Sequence, residues 1–406
     1  MALFGEHDRK RAEAVFGLSY CNPFVRDRIG FERIILGEGF VGTVDAWHKH
    51  ADEEMDRPNI ELLKHAAKAL ADGARPRFGK GGAGDAEVDL YENVVFYYLY
   101  NKYERAFLDY AKQAHTAGAL NGATMDFYPR YLDDLKHYLG LPGLPVGALD
   151  EAPHLFALFF QLRRAFHHIF DNIIGGSIAA ARLRATVWES IFTCDMARYR
   201  RCLYKRMGDI TTLVTGPSGT GKELVARAVG LSRYIPFDEK TKRFVADTTV
   251  CFHAVNLSAL SPTLIESELF GHAQGAFTGA VRDREGLFER CPGFGAVFLD
   301  EIGELAPGIQ VKLLRVLQNH AFQRIGEGAD RTFVGKVIAA TNRHLGDEVR
   351  AGRFREDVYY RLCADVITTP PLREQLRDSP EQLKNLLLFV AQRVAGTEEA
   401  PALAEE

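Results

Sequence analysis

Cysteine is sparse in this chain: six residues among 406, with no two in C-x-x-C spacing. That excludes a disulfide scaffold and removes support for zinc-ribbon and thioredoxin-like readings. A charge of one sign is lacking too. Fifty Lys and Arg against 54 Asp and Glu leave a net charge of −4, without the basic field of a dedicated nucleic-acid binder. Long hydrophobic runs are also missing. The most apolar stretch, Leu155–Phe160, is broken by Gln161, Arg163 and Arg164, far short of the ~20 residues of a membrane span. The N-terminus, MALFGEHDRKRAEAVFG, has no apolar core of signal-peptide length. A cytoplasmic protein with reduced thiols and no membrane partner is expected.

What is present is an ordinary globular composition, 47% hydrophobic and 26% charged, long enough for two or three domains. The texture changes near residue 175. Before it the periodicity is helical. Phe96, Tyr100, Tyr103, Phe107 and Tyr110 share one helix face, and Leu155, Phe159, Leu162, Phe166 and Ile169 share another. The aromatic stripe reads as core packing, with a ligand pocket as the alternative. His48, Lys49 and His50, followed by Asp52, Glu53 and Glu54, read as a solvated helix end rather than a metal site. His167 and His168 are adjacent, point to different helix faces and make a poor chelate. After residue 175, short β-rich runs alternate with helical stretches: TTLVT, VCFHAVNL, GAVFLDE, KVIAATN and ADVITT. That alternation predicts a parallel sheet in an α/β layer architecture.

TTLVT runs into Gly216-Pro217-Ser218-Gly219-Thr220-Gly221-Lys222-Glu223 and then a helical pattern. Strand, glycine-rich turn and helix with G-x-x-x-x-G-K spacing make a phosphate loop. Its glycines let backbone N–H groups converge on phosphate oxygens. The helix N-terminus adds partial positive charge, and Lys222 adds a full charge near the β- and γ-phosphates. Glu223 stands where the general motif has a magnesium-binding hydroxyl. Further on, Ala296–Leu299 is a buried strand ending in Asp300 and Glu301. Ligands of open α/β sheets bind at that edge. Asp300 is expected to hold Mg2+, directly or through water, and Glu301 to orient and deprotonate the attacking water.

Between these motifs stands Gly275-Ala276-Phe277-Thr278-Gly279-Ala280. With ESELFGH, FLDEIGEL, VKLLRVLQ, VIAATNR, FREDVYYRL and PPLRE, it resembles the bacterial enhancer-binding AAA+ ATPases that activate sigma-54 RNA polymerase. The resemblance covers residues 187–390, about half the chain. It implies an α/β P-loop NTPase (AAA+) core with a parallel sheet, preceded by a mainly α-helical N-terminal domain. The cofactors implied are ATP and Mg2+. The partners implied are the sigma-54 factor with its RNA polymerase holoenzyme and a homo-oligomeric ring, a hexamer. Glu commonly follows the P-loop lysine in that family, which leaves the role of Glu223 at the metal open. Asn256 matches a switch asparagine that holds Glu301 off the water until the target is engaged. Thr341 and Asn342 match the sensor of the γ-phosphate. Arg355 and Arg361 match arginine fingers supplied by the neighbouring subunit, with Arg353 a third candidate. Residues 275–280 are implied to rise when ATP is bound and to touch sigma-54, Phe277 making the apolar contact and Thr278 supporting it.

The chain is expected to divide into a mainly helical regulatory or sensory domain over 1–174, the ATPase domain over 175–395 and an acidic tail over 396–406. Three departures from the family pattern stand out. Residues 233–249 read as an inserted loop. The approach to the acidic strand, CPGFGAVFLDE, is one residue longer than usual, as a bulge would accommodate. After PPLRE there is room for one helix, so the lid with its second sensor arginine is expected to be missing or shortened, and no helix-turn-helix is identified for DNA. The competing reading is a nucleotide-binding regulatory or interaction module with little turnover.

Overall fold

A computed structural model describes residues 2–42, 57–78, 84–116, 124–142, 144, 147–246, 251–380, 382–396, 399–400 and 403. The charged cluster from His48 to Glu54 lies outside them, as does most of the 396–406 tail. Five strands form one parallel sheet: β1 (Thr212–Thr215), β2 (Phe252–Asn256), β3 (Ala296–Asp300), β4 (Lys336–Thr341) and β5 (Asp365–Thr368), in the order β5-β1-β4-β3-β2. All five begin or end within a few residues of the apolar runs read from the sequence. In β3 and β4 the reason is plain: helices cover both faces of the sheet, so nearly every side chain of these inner strands is buried and the runs are continuous rather than alternating. The register puts Thr215 opposite Thr341 and Thr368, and Asn256 opposite Asp300, so the C-terminal ends of the strands share one edge. The fold class is the one expected.

No bulge interrupts β3. The extra residue ahead of it is taken up by a tight turn in which Gly295 N–H donates to the Pro292 carbonyl (2.7 Å), and β3 then pairs residue for residue with both neighbours.

The N-terminal half is helical, with its main segments at Glu6–Tyr20, Asp27–Leu36, Ile60–Ala74, Asp85–Thr116, Tyr128–Leu139 and Ala152–Asn172. The aromatic stripe of helix Asp85–Thr116 packs inward; the Phe107 ring lies 4.9 Å from Phe156 and 5.9 Å from Phe160. Helix Ala152–Asn172 belongs to two cores at once. Leu155, Phe156 and Phe159 join the N-terminal aromatic cluster, while Ala165, Phe166 and Ile169 pack with Val225 and Val229 behind the sheet. Position 174/175 falls between this helix and the next, Ile178–Phe192, which starts on a Ser177 cap whose oxygen accepts from Ala180 N–H (3.1 Å). Side chains pack across that point without interruption.

The inserted stretch is a β-hairpin. Phe237–Asp238 pairs antiparallel with Arg243–Phe244, and the Asp238 carboxylate ties the turn through Lys240 N–H (3.0 Å) and the Thr241 hydroxyl (2.8 Å). Its two phenylalanines enter the N-terminal core: Phe237 meets Phe156 (4.6 Å) and Tyr128 (4.7 Å), and Phe244 stacks on Phe160 (4.4 Å). After β5 come helix Leu372–Asp378 and helix Gln382–Ala395.

Candidate active site

Parallel order brings the sequence motifs to one edge. β4 lies between β1 and β3, so Thr341 and Asn342 stand between the phosphate loop and the carboxylates. Gly216, Gly219 and Gly221 all have positive φ, at 147°, 78° and 84°, backbone that side chains rarely adopt. At Gly216 a Cβ would also collide with Thr369 Oγ1 and lie 2.8 Å from the Thr369 carbonyl oxygen. Thr369 is a site residue the sequence reading missed. Its N–H donates to Thr215 O (2.8 Å), and its hydroxyl meets Thr220 Oγ1 (2.6 Å), pinning the phosphate loop to the end of β5. The TTPP that begins on the last residue of β5 was the available signal. Lys222 is buried, and its Nζ donates to the Gly216 and Pro217 carbonyls (3.2 and 3.3 Å). Ser218 and Gly219 form the exposed crest of the loop. Glu223 is turned away from that crest: Arg227 Nε and Nη2 donate to it at 3.1 and 2.8 Å.

Asp300 is half-buried at the end of β3. Burial pushes its carboxyl pKa up; the Glu301 N–H donated to Oδ1 (3.0 Å) opposes this, the charges of Glu301 and Glu223 add to it, and Lys222 opposes it. Asn256 Nδ2 donates to Asp300 Oδ2 (3.4 Å), while Asn256 Oδ1 accepts from Ser258 N–H and Oγ–H (2.9 and 2.7 Å). Asn256 thus touches the neighbour of Glu301 rather than Glu301 itself. The Glu301 carboxylate accepts from Asn342 N–H (3.3 Å). Glu301 also has a left-handed backbone, φ 54° and ψ 50°, a conformation that costs a non-glycine residue energy and aims its side chain along the sheet edge.

These residues fit a magnesium ion. A carboxylate whose charged form burial disfavours, beside a second carboxylate, gains from a nearby cation. Among the described residues no group of three or more His, Cys, Asp and Glu could hold a metal unaided. Asp300 and Glu301 are the residues that would hold Mg2+, a cation that needs only one or two carboxylates beside phosphate oxygens and water.

Arg353, Arg355 and Arg361 are all exposed, Arg355 at the start and Arg361 near the end of helix Glu356–Leu362. Arg353 forms a two-pronged pair with Glu348 (2.6 and 2.9 Å), and Arg355 one with Asp357 (3.1 and 2.8 Å). Each pairing raises its guanidinium pKa through the hydrogen bond and the charge of its partner. Buried Gln310 holds the backbone beneath them, donating to Arg353 O (3.1 Å) and accepting from Arg355 N–H (2.8 Å). Gln310 has no motif of its own and was invisible in the sequence.

The 275–280 loop tops a short hairpin in which Gly271–His272 pairs with Arg284–Glu285. Gly275 and Gly279 have φ of 77° and 102°, and Gly275 N–H donates to Ala280 O (2.9 Å), closing the loop. Thr278 and Gly279 are exposed, and Ala280 is buried. Phe277 leans back, its ring edge-on to His272 at 4.9 Å, and His272 Nδ1 pairs with the Ser267 hydroxyl (2.7 Å). Ala276 abuts Gly326 of a second loop, whose neighbours Arg324 and Arg331 both clamp Glu289 (2.6–2.9 Å).

The family described as Sigma-54 interaction domain matches residues 196–368. The Nif-specific regulatory protein of Azotobacter vinelandii is 49% identical over 177 residues, 44% of this chain and 31% of that protein. The hydrogenase transcriptional regulatory protein HoxA of Bradyrhizobium diazoefficiens is 51% identical over 174 residues, 42% of this chain and 33% of that protein. The chain therefore spans about a third of the length of these curated relatives. A crystal structure of NtrX from Brucella abortus in complex with ADP is 24% identical with a TM-score of 0.41, covering 61% of this chain and 48% of that one. No helix among the described residues is long and apolar enough to cross a membrane.

Proposed function

We propose, from the match of residues 196–368 to the family described as Sigma-54 interaction domain, that the chain is an ATP-hydrolysing activator that remodels sigma-54 RNA polymerase holoenzyme to permit transcription initiation in the bacterial cytoplasm. The observation that carries this reading is the short route from Asp300 to the exposed loop, one hydrogen bond followed by continuous chain. Asn256, hydrogen-bonded to Asp300, leads through the turn Leu257–Ala259 into helix Pro262–Phe270, which ends on the hairpin that bears Thr278. One rigid helix links nucleotide chemistry to the contact loop.

In this mechanism the Gly216–Gly221 backbone cradles the phosphates, and Lys222 exchanges its two loop carbonyls for β- and γ-phosphate oxygens. Asp300 would hold Mg2+, which would supply neutralisation of the phosphate charge. Glu301 orients and deprotonates the attacking water, with its carboxylate steered by Asn342. Thr341 and Asn342 read the γ-phosphate. Asn256 senses the change at Asp300 and Glu301 and moves the helix. Phe277 leaves His272 and meets sigma-54, with Thr278 beside it. Arg355 and Arg361 stabilise the transferring phosphoryl group on the next subunit of a hexameric ring, a role that can be worth about 10³–10⁵ in rate; Arg355 must first release Asp357.

ATP hydrolysis measured against protein concentration tests the reading. Turnover rising cooperatively as rings assemble, and abolished by Lys222→Ala or Glu301→Ala, is expected. Negligible turnover at every concentration with ATP binding retained would instead support a nucleotide-binding regulatory module.

A further inference from the structure

The sheet has a second edge, where its strands begin. Lys336 opens β4 there, about 16 Å along the strand from Thr341. At this edge lies a cavity of about 430 Å³, within the ~300–1,000 Å³ of ordinary ligand sites. Lys205, Arg233 and Lys336 line it. Asp209 is the one acid on the lining among the described residues, and it already pairs with Arg206 (3.5 Å). The lining therefore carries surplus positive charge.

Lys336 is 2% exposed, and its ammonium donates to the Met207 and Ile210 carbonyls (3.3 and 2.6 Å). Carbonyl dipoles engage its protons without cancelling its charge. Asp365, whose charge it feels, is itself held by the hydroxyls of Ser190 and Thr212, the latter at 2.7 Å. Burial lowers the Lys336 pKa to about 8, with Asp365 opposing the shift and Arg233 adding to it. A buried cation of this kind gains from an anion beside it.

Arg233 offers the hydrogen bonds. It is half-buried, and its Nη1 is committed to the carbonyls of Gly293 (3.4 Å) and Gly295. Nε and Nη2 donate to no acceptor among the described residues, and both keep accessible surface. That edge of a guanidinium takes a carboxylate through two parallel hydrogen bonds. Nη2 has its room because residue 208 is glycine; a Cβ there would stand 2.5 Å from it. Beside the cations the wall is aromatic, with Tyr204, Tyr234 and Phe294 on the lining and the two tyrosine rings 4.6 Å apart. Such rings pack well against another flat ring.

We propose that this cavity binds a small aromatic carboxylate, its acid group on the Nε–Nη2 edge of Arg233, its charge met by Lys336 and Lys205, and its ring against Tyr204 and Tyr234. The site stands apart from the phosphate loop and does not depend on the ATPase reading. Benzoate is the probe, and benzamide, of the same shape without the charge, is its control. Equilibrium dialysis of labelled benzoate against the full chain without nucleotide should give one benzoate per chain, with benzamide at least tenfold weaker, the worth of a charge-assisted pair. Arg233→Met should weaken benzoate at least tenfold and Lys336→Met at least threefold, both checked for fold by circular dichroism; the benzoate–benzamide comparison needs no variant. Lys222→Ala should leave benzoate binding unchanged. No benzoate binding to the native chain, equal binding of benzamide, or binding that survives Arg233→Met or Lys336→Met undiminished would overturn the site. Loss of benzoate in Lys222→Ala would place the anion in the phosphate loop instead. Inorganic phosphate that displaces labelled benzoate as well as unlabelled benzoate does would overturn the aromatic part of the proposal.

Discussion

Asp300, the residue proposed to hold Mg2+, weighs against the fold when ionised. Burial raises its carboxyl pKa above the ordinary 3.8, so the folded chain holds that proton more tightly than the unfolded one. Stability from this group is full below 3.8 and is lost as pH rises through the folded value. At neutral pH the ionised form therefore weighs against folding. Asp300→Asn should raise Tm at pH 7 while eliminating magnesium-dependent hydrolysis; a lower Tm would mean that Asp300 is stabilised by partners stronger than Asn256 and the Glu301 N–H. At Gly216 the effect runs the other way. Gly216→Ala places a side chain at φ 147° against Thr369, and should cost about 1–3 kcal/mol by chemical denaturation and weaken ATP binding by calorimetry. Much at this scale was legible in the sequence, because the phosphate loop and the Asp300-Glu301 pair are contiguous and their chemistry is local. Thr369 and Gln310 were not. Each acts on a segment far along the chain, Thr369 on Thr220 and Gln310 on Arg353 and Arg355, and only folding makes them neighbours.

Among the elements, the 233–246 hairpin departs furthest from its sequence reading. Its extra length was visible, but its destination was not, since the partners of Phe237 and Phe244, which are Tyr128, Phe156 and Phe160, lie far back along the chain. It leaves the phosphate-loop helix, inserts into the N-terminal aromatic core and returns towards β2. Phe237→Ala should therefore behave as a core truncation and cost about 3–5 kcal/mol, measured by urea unfolding of the whole chain. A loss below about 1 kcal/mol would show that the hairpin rests on the surface. The sheet strands were legible because burial on both faces leaves an apolar run that needs no partner to be recognised. The turn at Pro292–Gly295 was not, because an extra residue reads the same whether a turn or a bulge absorbs it.

For the whole molecule, helix Ala152–Asn172 makes the two halves one packed body. A boundary near residue 174 follows the change in sequence texture, yet side chains from both halves share a core. Rings enter at this scale as well. Arg355 is exposed and, among the described residues, its side chain pairs with a carboxylate two residues along its own chain, a pairing that an incoming phosphate can displace because surface ion pairs are weak. Arg355→Ala should lower kcat by about 10³-fold or more and leave ATP affinity unchanged. Equal loss of affinity would place Arg355 in binding rather than in transition-state stabilisation.

The central claim is that ATP chemistry drives the 275–280 loop onto sigma-54. The most direct measurement is capture of purified sigma-54 by the chain with an ATP transition-state analogue bound, comparing the native chain with Thr278→Ala. Capture by the native chain and its loss in the variant is the expected result; equal capture by both, or by neither, would contradict it.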